Sequence, residues 1–376
     1  MKKLTITFFS ILMILLLAAS VFASDERLIL SAKMDGKDVR FAFDTGAPDS
    51  LTISKQTAKR LFLNTREEKG KTIATFELEI AGDKWDKAQA LVIDFLPFSD
   101  IDGFIGWPAL RGNIWQVQWQ DMSLLAVKSM PEEALSWQVL KLHSQAPIAA
   151  AFLHDGKQGL IYLDTGSSEG IALSESRWQK LVAEKPYLPM TLKTGFMPAA
   201  GGFFVTELCW SDEFKIDSLT IPRIMIQKSA YKWPQLEAVF GLEALKHFEI
   251  VFDLKENKIY MKELPYSPVN LKYNRLGASF PPASLSSDRL VGHVLDNSPA
   301  YRAGLRTGDV LLRVDNIDMT QWRINPSILK KEFWTANAGT EYKLEIDRNG
   351  KKQVITVVLE EIFKITDDKK QLSETK

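Results

Sequence analysis

The chain has 376 residues, 47 basic against 47 acidic, and is 45% hydrophobic and 25% charged. That balance offers no basic field for nucleic acid and no cationic face for a membrane, while the apolar share is that of an ordinary globular protein. Cys209 is the only cysteine, which excludes an intramolecular disulfide, and His143, His154, His247 and His293 lack the spacing of metal ligands, so neither a metal nor a cofactor is expected.

Residues 1–23 read as an export signal. Lys2 and Lys3 precede an apolar run, and Val21 and Ala23 supply the small residues of a cleavage site. The run is short for a membrane span, so no span is expected once the signal is removed; an uncleaved segment acting as an anchor is the alternative.

Residues 24–128 alternate as short strands. The stretch Met34–Gly46, MDGKDVRFAFDTG, holds an Asp-Gly pair, the strongest short hairpin signal, and then a strand that runs into Asp44-Thr45-Gly46. A further strand, a helical turn or two over 55–63, and a strand pair over 71–80 and 88–95 follow. Phe104-Ile105-Gly106 comes next, then a short helix near 108–111 and a closing hairpin over 115–127. Residues 129–146 read as a polar linker with some helix.

The pattern restarts over 147–262. His154–Gly166, HDGKQGLIYLDTG, repeats the first hairpin and ends in Asp164-Thr165-Gly166. Val239-Phe240-Gly241 answers to Phe104-Ile105-Gly106, but the offset grows from 120 (Asp44 to Asp164) to 135 (Gly106 to Gly241). The extra residues fall in or near 192–208, which read as a long Gly-rich hairpin. A chain that makes the same hairpin twice, each ending in a carboxylate, can bring two carboxylates to one place. Each aspartate follows an apolar strand, where an unpaired carboxylate would be costly. The alternative is a duplicated β-domain whose aspartates merely cap turns.

Residues 263–270, with two prolines, mark a boundary. Residues 271–363 read as strand, loop, short helix, turn and strand, with a helix near 327–335 and two closing strands. The charged tail over 364–376 reads as disordered.

Residues 25–262 resemble the pepsin- and retropepsin-like aspartic proteases, on FAFDTGAPDS, IYLDTGSSEG and the paired elements FIG and VFG. The resemblance implies a mainly β fold of two tandem lobes related by pseudo-two-fold symmetry. Asp44 and Asp164 would be the catalytic pair, meeting within one monomer, with Thr45, Gly46, Thr165, Gly166 and Ser167 as loop support. It implies an aspartic endopeptidase acting on polypeptides through an activated water. After the glycine the loops differ, Ala47 against Ser167. By resemblance, Ser167 should hydrogen-bond Asp164, leaving the charge on Asp164 and the proton more often on Asp44. The first lobe has only a short segment, Glu67–Thr75, where a flap would lie. The flap expectation therefore falls on Gly201, Gly202, Phe203 and Phe204 of the second lobe.

Residues 271–363 resemble an α+β PDZ domain, on Ser298-Pro299-Ala300, Ala303-Gly304-Leu305 and Gly308-Asp309. Arg275, Gly277, Ala278, Ser279 and Phe280 then occupy the place of a loop that binds a peptide C-terminus. The combination is similar to a group of exported bacterial proteins, which implies a periplasmic or secreted location. The PDZ domain would dock substrate or a regulator. The alternative function is a non-catalytic peptide-binding scaffold with a protease-like shell.

Overall fold

The computed structural model describes residues 27–47, 51–93, 101–142, 149–154, 157–167, 169–197, 202–216, 218–229, 236–265, 272–284, 286–329 and 331–363. The expected export signal, the C-terminal tail, the Asp155-Gly156 turn and Gly201 lie outside them. Among the described residues no helix is long and apolar enough to cross a membrane.

The protein is mainly β. The first repeat begins with β1 (Ile29–Met34) and β2 (Lys37–Asp44), paired from Ile29 opposite Ala42 to Met34 opposite Lys37. Asp35 and Gly36 form the turn, both at positive φ, as a two-residue hairpin with right-handed strand twist requires. Alternate residues of β1 are buried, but the last four of β2 are all buried. The strand thus leaves the surface and drives its terminal Asp44 into the interior.

β3 (Leu51–Ser54) leads into α1 (Lys55–Leu61), whose first turn is capped by the Ser54 hydroxyl accepting from the Thr57 N–H at 2.9 Å. The helix stops where Phe62 turns left-handed. β4 (Asn64–Glu68), β5 (Lys71–Ile80), β6 (Asp83–Ile93), β7 (Gly103–Gly106), β8 (Ile114–Gln118) and β9 (Ser123–Val127) complete the repeat. β4, exposed along its length, pairs with Lys71–Thr75 of β5 as a short hairpin over the segment where a first-lobe flap was expected to be reduced.

The second repeat comprises β11 (Ala149–His154), β12 (Lys157–Leu163), β13 (Ile171–Leu173), α2 (Glu175–Glu184), β14 (Met190–Met197), β15 (Gly202–Ile216), β16 (Leu219–Lys228), β17 (Leu236–Phe240), α3 (Leu242–Leu245), β18 (Phe248–Asp253) and β19 (Lys258–Glu263). The pairing order β2-β7-β3-β6-β5-β4 of the first repeat recurs as β12-β17-β13-β16-β15-β14 in the second. In both, the strand of the apolar-apolar-Gly element runs parallel to the strand that delivers the aspartate.

Two expectations change. The stretch 129–146 is not only a linker with some helix: β10 (Gln138–Lys141) pairs with β19. The closing strands of the second repeat, β18 and β19, join the first repeat's sheet, with Phe252 opposite Trp115. Burial explains this. One face of each end strand is apolar, and Phe248, Ile250, Phe252, Ile259 and Met261 on those faces are buried. Phe252 also meets Phe43 of β2 edge to face at 5.6 Å, so the end of one repeat supports the aspartate strand of the other.

A separate core surrounds Leu276, Ala300, Leu311, Leu344, Ile346 and Val357. Its elements are β20 (Ala278–Ser279), β21 (Leu290–Val291), β22 (His293–Val294), α4 (Pro299–Arg302), β23 (Val310–Val314), β24 (Ile317–Asp318), β25 (Glu341–Arg348) and β26 (Lys351–Val358). The helix expected near 327–335 is replaced by two 3-10 turns, Pro326–Ile328 and Phe333–Thr335. Phe333 and Trp334 are held by rings from elsewhere, Tyr342 and Phe280, and this packing overrides the local helical pattern. Asp309, buried, is gripped by both arms of Arg348 at 2.7 Å each.

Candidate active site

The ends of β2 and β12 bring the two Asp-Thr-Gly loops together. Each threonine is fully buried and bonds the opposite loop twice. The Thr165 hydroxyl donates to the Phe43 carbonyl at 2.7 Å and accepts from the Thr45 N–H at 3.1 Å. The Thr45 hydroxyl donates to the Leu163 carbonyl and accepts from the Thr165 N–H at 2.9 Å. Six polar groups, two hydroxyls, two N–H groups and two carbonyls, are thus paired across the loops, 118 to 122 residues apart in sequence.

The glycines set how close the carboxylates come. A Cβ on Gly166 would sit 2.5 Å from the Asp44 Cγ, and one on Gly46 would sit 2.9 Å from the Asp164 Cγ. Each aspartate thus lies against the backbone of the other loop, in space that any side chain would fill. Within each loop the carboxylate is braced from below: Asp44 Oδ1 accepts from the Gly46 and Ala47 N–H groups at 2.8 and 3.0 Å, and Asp164 Oδ1 from the Gly166 and Ser167 N–H groups at 3.0 and 3.2 Å. The Phe240 carbonyl holds the Asp164 N–H at 2.8 Å, and Gly241 passes so near that loop that a Cβ would reach the Glu169 carbonyl at 2.3 Å.

Burial dominates the electrostatics. Asp44 is pushed well above the usual carboxylate range, first by burial and then by the charge of Asp164; its two backbone bonds and Arg27 pull the other way. Asp164 is raised to about 6, again by burial and also by Glu169, against the pull of its two backbone bonds and a bond from Asp44. The hydrogen bond expected from Ser167 to Asp164 takes another form. Ser167 reaches Asp164 through its backbone N–H, while its hydroxyl accepts from the Glu169 N–H at 3.4 Å.

Glu169, Lys193, Gln227 and Asn274 were not singled out from sequence. Glu169 follows the second loop in Ser-Ser-Glu-Gly. Its carboxylate, largely buried, accepts from Gln227 and pairs with Lys193 of β14 at 3.4 Å. A carboxylate within a motif otherwise made of small residues was the available signal.

Of the expected flap, Gly202, Phe203 and Phe204 lie on β15, paired with β14 out to Met197 opposite Gly202. The Phe204 ring covers Gly195 across the hairpin, where a Cβ would meet it at 2.2 Å. Phe203 turns instead to Trp322 of the C-terminal core, edge to face at 6.2 Å. In the expected peptide loop, Gly277 has positive φ and Ala278, Ser279 and Phe280 are buried. Arg275 bonds Glu361 and the Thr335 carbonyl and stacks on Tyr273 at 4.3 Å, so it braces the C-terminal module. Cys209 is fully buried, its thiol pushed by burial to about 12.

Residues 30–108 match the aspartyl protease family, and residues 274–359 match the PDZ domain family. The chain therefore carries an aspartyl protease domain and a C-terminal PDZ domain. It is also similar to a probable periplasmic serine endoprotease DegP-like of Pseudomonas putida (strain W619), 37% identical over 70 residues. That match covers 19% of this chain and spans 14% of the relative's length.

Proposed function

We propose that this protein is an aspartic endopeptidase, exported to the periplasm or secreted, in which Asp44 and Asp164 act together on a water between them. The observation that carries this reading is the reciprocal fit of the two loops, each glycine lying against the other loop's carboxylate. Two carboxyl groups so placed share one proton. The ionised member, Asp164, draws a proton from the water as it attacks the peptide carbonyl. The protonated member, Asp44, donates to the oxygen that gains charge. The adduct then collapses: the C–N bond breaks, the amine leaves with the proton that Asp164 took from the water, Asp44 regains its own, and no covalent bond to the enzyme forms. The buried, apolar surroundings strengthen both interactions. The DegP-like match spans too little of either chain to bring serine chemistry here.

The test is a mass-spectrometric cleavage profile on a mixed peptide pool, comparing wild type with Asp44→Asn and Asp164→Asn. Loss of all cleavage in both variants, with peptide binding kept, supports the reading. Cleavage that survives in either variant overturns it. No cleavage by any form would leave a protease-like shell that only binds.

A further inference from the structure

The hairpin β14–β15 is seated on the PDZ module, against the loop that would receive a peptide C-terminus. Three contacts hold it, beside an apolar cluster at its base. Asn274 is the centre of the first: its amide N–H groups donate to the Leu192 carbonyl at 2.9 Å and the Ala278 carbonyl at 2.7 Å, and its own backbone carbonyl accepts from the Thr191 hydroxyl at 2.6 Å. The second is the Thr194 hydroxyl on the Ser279 hydroxyl. The third is Phe203 on Trp322. Ser279, Thr191 and Leu192 are all buried.

The same Asn274 closes the loop itself. Its side-chain oxygen accepts from the Leu276 N–H at 2.9 Å and the Gly277 N–H at 3.1 Å. By the PDZ resemblance, these donors lie in the loop that takes a terminal carboxylate. A neutral amide oxygen thus stands in for the carboxylate, and the amide end of that side chain grips the hairpin. Between the PDZ contacts, Lys193 pairs with Glu169 beside the Asp164 loop. β14 is therefore tied to both modules at once.

We propose that the PDZ module is a latch on this hairpin: a polypeptide's free C-terminal carboxylate displaces the Asn274 side chain from Leu276 and Gly277 and so releases β14. The exchange is favourable at the loop because a charged acceptor makes hydrogen bonds roughly twice as strong as a neutral one. The release is local. At the base of the hairpin Leu208 packs with Tyr273 and Phe363, flanked by Trp210 and Met225, and this apolar cluster stays shut. The contacts farther out are a hydroxyl pair and one aromatic edge. By linkage, whatever fixes the hairpin on the module weakens the peptide, and the reverse.

The test uses the full chain in an Asp44→Asn background, so that no probe is cut, and reads binding and exchange only; it stands or fails apart from the peptidase reading. The probe is a fluorescein-labelled pool of random hexapeptides with a free C-terminus, against the same pool ending in an amide. Thr194→Cys with Ser279→Cys gives an oxidisable pair at the latch, since Cys209 is buried. Oxidation should weaken binding of the free-acid pool by about tenfold or more, with reductant restoring it. The free-acid pool, and not the amide pool, should speed amide hydrogen exchange over 190–197. In Asn274→Ala, exchange over 190–197 should already be fast without peptide. Equal binding by oxidised and reduced forms, unchanged exchange on adding the free-acid pool, or no binding by any form overturns the latch.

Discussion

Replacing Asp164 by Asn should stabilise the folded chain near neutral pH and change little in acid. Asp164 moves from an ordinary 3.8 to about 6 because it is buried and, to a lesser degree, because Glu169 lies near it. Its folded form thus holds the proton more tightly than its unfolded form. The stability linked to it is fully present below the unfolded value and is lost as pH rises through about 6. At about 1.4 kcal/mol per pH unit, the loss is about 3 kcal/mol. Asn carries no charge to bury, and its Oδ1 can still accept from the Gly166 and Ser167 N–H groups. Urea unfolding at about pH 4 and about pH 7.5 measures the effect through the change in the gap between variant and wild type. A gap of the same size at both pH values, or an Asp164→Asn variant less stable than wild type at the higher one, would refute the electrostatic reasoning.

Peptide cleavage should follow the same group. The acid limb of kcat/KM is expected with an apparent pKa of about 6, because below it Asp164 takes up the proton that the water must lose; full activity near pH 3 would contradict this. Thr45→Val and Thr165→Val each leave two buried backbone groups without partners, so each should cost about 2–4 kcal/mol. The double variant should fall short of the sum because a loosened loop admits water, and strict additivity in a denaturation cycle would show that the loops do not support each other. Gly166→Ala should lower turnover by about 100-fold with the circular dichroism spectrum kept, and should do so more than Gly46→Ala, since its Cβ comes nearer the opposing carboxyl carbon; the reverse order in a cleavage assay would contradict the geometry.

The β1–β2 hairpin with its Asp35-Gly36 turn, the helical turn of α1 and the two Asp-Thr-Gly loops were legible in the chain because each is written in neighbouring residues. Period-two apolar patterns and a turn dipeptide act over a few positions, and a repeat exposes itself by comparison with its own copy. The pairing of the two module types was legible for the same reason, from motifs of fixed spacing. Other features depended on partners far away in sequence. The strands β18 and β19 sit in the first repeat's sheet because Phe252 needs Trp115 and Phe43, and no local pattern names those neighbours. The expected helix over 327–335 gave way to two turns because aromatic rings from Phe280 and Tyr342 hold Phe333 and Trp334. Asn274, unremarkable in its own stretch, became the joint between two modules only when folding set Leu192 and Gly277 on either side of it. Local sequence fixes what a segment can be at little cost in chain entropy, whereas long-range contacts are chosen by the burial and hydrogen bonds that the whole chain can satisfy together.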